Sequence, residues 1–111
     1  MTEELFKDVS TKAAFDELSG KAGDLPVFVD FYATWCGKCE MLTPELEEIA
    51  KANHDKAVYI KIDVEANEEV ADMYKVECLP TLICIKNGDK IGEMKGSKVD
   101  NFKNFMSTHL K

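Results

Sequence analysis

Two cysteines three residues apart, within Trp35-Cys36-Gly37-Lys38-Cys39, are the side chains best placed by type and spacing to do chemistry. They follow a strand-like apolar run over 26–33. They open a helix-like run in which Leu42, Leu46, Ile49 and Ala50 recur at helical spacing. A Cys-x-x-Cys at such a junction reads as a redox dithiol. Positions i and i+3 on a first helical turn are neighbours, close enough for a short disulfide. At the amino terminus of that helix, unpaired N–H groups and the positive dipole end favour the Cys36 thiolate. The ammonium of Lys38 pushes the same way. A lower thiol pKa raises the thiolate fraction and also blunts each thiolate as a nucleophile. A structural pair or a metal clip is the weaker reading, because Cys78 and Cys84 complete no zinc spacing.

Other residues stand out against their surroundings. Asp30 is the one charge in an apolar strand, where a lone carboxylate is costly to bury. Lys61 is the odd charge in the run over 57–62. Leu79-Pro80 opens a strand-like segment over 80–86, although proline donates nothing to a sheet ladder. Trp35, beside a reactive cysteine, reads as the apolar floor around it. Gly37 and Gly96 leave room for close approach, and Gly96 reads equally as a loop glycine. Cys84 alternates with Ile83 and Ile85 as a small buried side chain. His54 and His109 read as surface residues without partners, and Glu45, Glu47 and Glu48 as a solvated helix face.

The elements that must position these groups follow from the pattern. Ser10 or Thr11 caps a helix over 12–19, with Ala14, Phe15 and Leu18 inward and Gly20 ending it. The dithiol helix runs from about Cys36 to Ala52, and Pro44 inside it removes a donor and predicts a kink. A strand over 57–64 follows. Asn67 caps a short helix with Val70, Met73 and Tyr74 inward. After the strand over 80–86, Asn87-Gly88 signals a hairpin into a short strand over 90–94. A last helix over 98–109 buries Val99, Phe102, Phe105, Met106 and Leu110. Alternating helices and strands predict parallel pairing with an antiparallel edge added by the hairpin.

Composition bounds the function. A chain of 111 residues, 45% hydrophobic and 32% charged, suits one domain spanning 1–111 with its own core. A formal charge of −7 argues against nucleic acid or an anionic membrane as the main partner. No apolar run approaches a membrane span, and the ends carry neither signal-peptide regions nor a retention signal. The expectation is a cytoplasmic protein, in a compartment where paired thiols do chemistry rather than staple a fold.

The segment from Val29 through Cys39, with Pro44, Lys61-Ile62-Asp63, Leu79-Pro80-Thr81, Asn87-Gly88 and Gly96, resembles the thioredoxin family over nearly the whole chain. The resemblance implies an α/β thioredoxin fold, a central mixed five-stranded sheet with four helices on both faces. It implies a protein-disulfide reductase without a bound cofactor, recycled by a separate NADPH-dependent thioredoxin reductase and acting on disulfide-containing proteins. On that pattern Cys36 is the nucleophile and Cys39 the resolving thiol. Asp30 lies beneath the pair as proton acceptor, with Lys61 beside it opposing the rise in its pKa. The bond before Pro80 is cis, and Trp35, Gly37, Lys38, Leu79, Pro80, Thr81 and Gly96 form the substrate-docking rim. Cys78 falls on that rim, either inert or open to oxidation and to linking two otherwise monomeric chains. The sequence departs from the family at Lys38, where proline is usual, and at Glu40, where a basic residue is usual. Two other readings follow: a more oxidising, isomerase-like dithiol protein, and a binding module that releases its partner on oxidation.

Overall fold

The computed structural model describes residues 4–96 and 98–110. Five strands and four helices follow in the order β1 (Lys7–Asp8), α1 (Lys12–Gly20), β2 (Val27–Tyr32), α2 (Gly37–Ala52), β3 (Val58–Asp63), α3 (Glu68–Met73), β4 (Thr81–Lys86), β5 (Asp89–Lys95) and α4 (Val99–His109). The strands form one mixed sheet ordered β1-β3-β2-β4-β5. β1, β3 and β2 run parallel, and β4 and β5 are added antiparallel. This is the thioredoxin fold expected from the resemblance. The two-residue β1 pairs Lys7 with Ile60 and Asp8 with Lys61.

The period-two alternation of the strands divides the core between the two sheet faces. Phe28, Tyr59, Leu82 and Cys84 pack against Leu42, Leu46 and Ala50 of α2 and Phe102, Phe105 and Met106 of α4. Val27, Val29, Phe31, Ile60, Ile62, Ile83 and Ile85 pack against Phe15 of α1 and Val70 and Ala71 of α3. Asp30 shares the α2–α4 face with Phe28, two residues before it, and is the odd polar group there.

Local signals act as expected at most element ends. Thr11 rather than Ser10 caps α1, its hydroxyl accepting the Ala14 N–H at 3.1 Å. Asn67 caps α3 through the Val70 N–H. Asn87 and Gly88 take φ of 53° and 84°, the left-handed pair that a two-residue hairpin needs. α2 continues across Pro44. Met73, expected inward, is exposed instead. The buried stripe of α3 runs through Val70 and Ala71 to Tyr74, and Met73 lies around the helix from it.

Candidate functional site

Cys36 is the N-cap of α2, in extended backbone, and Cys39 stands on its first turn. The two are joined as a disulfide with Cα atoms 5.3 Å apart. The Cys39 N–H points at Cys36 Sγ at 3.2 Å, so a terminal donor of the helix already faces the sulfur that would carry negative charge. Both cysteines are buried as whole residues, among Ala33, Tyr32, Val64 and Leu79.

Above the disulfide lies a cleft of about 450 Å³. Trp35, Cys36, Gly37 and Lys38 form one side, and Val64, Val76, Glu77, Cys78 and Leu79 the other. Trp35 is 68% exposed, so it is a wall of this cleft rather than a buried floor. Cys78 is an exposed free thiol on the rim. The Leu79–Pro80 peptide is cis, with Leu79 facing the cleft and Pro80 buried behind it. Thr81, expected on the docking rim, is buried instead. Its hydroxyl donates to the Cys78 carbonyl at 2.7 Å, so the side chain ties down the loop that carries Cys78 and Leu79. Gly96 is exposed beyond β5, at φ 126°. Val64, Val76 and Glu77 join the cleft unannounced by the sequence, because only folding brings the β3 and α3 ends beside α2.

Behind the disulfide a second, smaller cavity of about 230 Å³ is lined by Asp30, Tyr32, Cys39, Glu40, Thr43 and Lys61, among others. Asp30 is 5% exposed, and its Oδ1 has no hydrogen-bond partner among the described residues. Burial pushes its carboxyl up to about 7, against the pull of Lys61 and with a push from Glu47. Lys61 is the strand neighbour of Asp30 in the β2–β3 register. Its ammonium, however, pairs with Glu4 at 2.8 Å. The Tyr32 hydroxyl donates to the Asp8 carboxylate, and burial followed by that bond pushes the phenol well above its usual range.

Cys84 lies apart from both cavities, fully buried, its thiol pushed by burial up to about 11. It is a packing residue. Two surface assignments do not hold. Glu47 is buried, accepting the Leu5 N–H at 2.7 Å and the Phe6 N–H at 3.2 Å. His109 is half-buried, its ring tilted against that of Phe105 with centroids 4.5 Å apart and Nδ1 3.0 Å from the Phe105 carbonyl. Among the described residues no group of three His, Cys, Asp or Glu side chains is placed to hold a metal. No helix of the structure is long and apolar enough to cross a membrane.

The thioredoxin family model matches residues 7–108. The chain belongs to the thioredoxin family. A thioredoxin of Echinococcus granulosus is 40% identical over 95 residues, covering 80% of this chain and 88% of that one. Rice chloroplastic thioredoxin Y is 44% identical over 87 residues, which cover 78% of this chain and about half of the relative, 51%. Among solved structures, the thioredoxin of Malassezia sympodialis superimposes with a TM-score of 0.88 at 28% identity, covering 100% of this chain and 96% of that one. With its vicinal Cys36–Cys39 disulfide, the protein is a thioredoxin-type thiol–disulfide oxidoreductase.

Proposed function

We propose that the protein works mainly as a reductant of protein disulfides, as one domain over 1–111, in the cytoplasm. It would cycle as a monomer between a dithiol and the Cys36–Cys39 disulfide. The observation that carries this reading is a disulfide at a helix start, opening on one side to a peptide-sized cleft and on the other to a cavity holding a buried acid.

The Cys36 thiolate attacks one sulfur of a substrate disulfide, forming a mixed disulfide and expelling the other sulfur as a thiolate. Cys39 passes its proton to Asp30 across the small cavity. The Cys39 thiolate then attacks Cys36 Sγ, forms the intramolecular disulfide and releases the second substrate sulfur. Two electrons have moved from the pair to the substrate. A carboxyl near 7 suits this role, since a base is most effective when its pKa lies near the working pH. Lys38, exposed in the Trp-Cys-Gly-Lys-Cys segment beside Cys36, adds positive charge that favours the attacking thiolate. Trp35, Gly37, Lys38 and Leu79 contact the extended substrate segment, and Leu79 offers its backbone to it. A separate NADPH-dependent thioredoxin reductase restores the dithiol, so no cofactor is held on the chain. The substrates are proteins rather than nucleic acid or membrane.

Replacing the resolving thiol tests the order of attack. Cys39→Ser should accumulate mixed disulfides through Cys36 when mixed with disulfide-bearing proteins, and Cys36→Ser should accumulate none. Equal trapping by the two variants, read by mass spectrometry, would overturn the assignment.

A further inference from the structure

Lys61 and Asp30 are register partners on adjacent strands and line the same cavity, yet their charges do not meet. The Lys61 ammonium is bound 2.8 Å from Glu4 Oε2 and lies 5.5 Å over the Tyr32 ring. Asp30 Oδ1 is left without a partner among the described residues. Glu4 itself is held from the next two residues. The buried Glu47 carboxylate of α2 receives the backbone N–H groups of both Leu5 and Phe6. Phe6 packs on Tyr59 with ring centroids 5.2 Å apart, and β1 continues from there along β3. The segment before β1 is therefore clamped by a buried acid and delivers a carboxylate to the outer end of Lys61.

We propose that Glu4 is a positioning residue for the thiol chemistry, holding the Lys61 ammonium outward and so limiting how much of its charge reaches Asp30. This rests on the reading of Asp30 as proton acceptor for Cys39. A lysine head on a flexible four-carbon stem turns toward whichever carboxylate is nearer and less costly to reach. With Glu4 present, that carboxylate is on the surface, and the buried acid keeps its proton to higher pH. Without Glu4, the same stem is free to turn inward. The other groups facing Asp30 are Tyr32 on its own strand and Cys39, Glu40 and Glu47 on α2, with Asp8 behind Tyr32. None of these is a cation, so among the described residues Lys61 is the one positive charge whose direction matters there. Lys61 is also held above its usual range: burial pulls it down, and the Glu4 hydrogen bond and charge, with Asp8 and Glu47, outweigh that pull.

The Asp30 carboxyl should be titrated directly by carbon NMR in the oxidised protein, for the unmodified chain, Glu4→Gln, Lys61→Met and the double variant. Glu4→Gln should move the Asp30 midpoint to lower pH by roughly 0.3–0.7 of a pH unit, the scale of a surface ion pair. In the Lys61→Met background the same substitution should move it little, because the effect runs through the lysine. An unmoved midpoint, or a shift that persists without Lys61, overturns the proposal. Turnover of a peptide disulfide against pH, on the same proteins, separates the two claims. If the Asp30 midpoint moves and the pH profile does not, the positioning stands and the proton-acceptor role of Asp30 falls.

Discussion

Asp30 concentrates the conflict between folding and chemistry in one side chain. In an unfolded chain its carboxyl ionises near the ordinary value, and in the fold it does so only at about 7. Both states are protonated at low pH, so ionisation of the acid costs the fold nothing there. As pH rises from about 4 to 7 the unfolded chain loses its proton first, and stability falls across that window. Asp30→Ala should therefore stabilise the protein at about pH 8 by on the order of 2 kcal/mol, after the cost of the space it leaves. The gain should shrink toward pH 4, and urea unfolding at several pH values reads both. A gain independent of pH would mean that the carboxylate is not the source. The odd charge in an apolar run was legible in the sequence. The turn of Lys61 away from it, toward a residue 57 positions earlier in the chain, was not.

At the scale of elements, the periodicities of the helices and the Asn-Gly turn were sufficient to place nearly every boundary. They work because caps and turns are satisfied by neighbours within a few residues. Glu47 and His109 were misjudged because what buries them comes from elsewhere in the chain. Glu47 sits in an acidic stretch that reads as a wet face, and the segment before β1 closes over it. His109 reads as a helix-end residue, and the bare backbone of β5 lets its ring settle inward. A Cβ built on Gly92 would fall 2.8 Å from His109 Nε2 and 2.9 Å from Phe105 Cε1. Gly92→Ala should then push the end of α4 off β5, costing about 1–3 kcal/mol. Adding His109→Ala should recover part of that loss in thermal unfolding. No recovery would place the whole clash on Phe105.

Across the whole molecule, one sheet serves two hydrophobic layers, and β2 feeds both. Phe28 belongs to the layer with α2 and α4, and Phe31 to the layer with α1 and α3. Either phenylalanine cut to alanine should cost about 3–5 kcal/mol. Because the layers share strands, each loss should shift a single transition. Far-UV circular dichroism and Trp35 fluorescence in urea should give coincident curves for both variants. Separate transitions would show that the layers fold as independent units.

The dithiol, its helix start, the mixed α/β order and the hairpin edge were all readable from residue types and spacing. Each depends on interactions within a turn or along one strand, which a linear chain displays directly. Folding settled the cleft wall drawn from Val64, Val76 and Glu77 and the pairing of Lys61 with Glu4 rather than Asp30. Those outcomes hang on which distant groups compete for one buried donor or charge, and that competition exists only once the sheet brings them together.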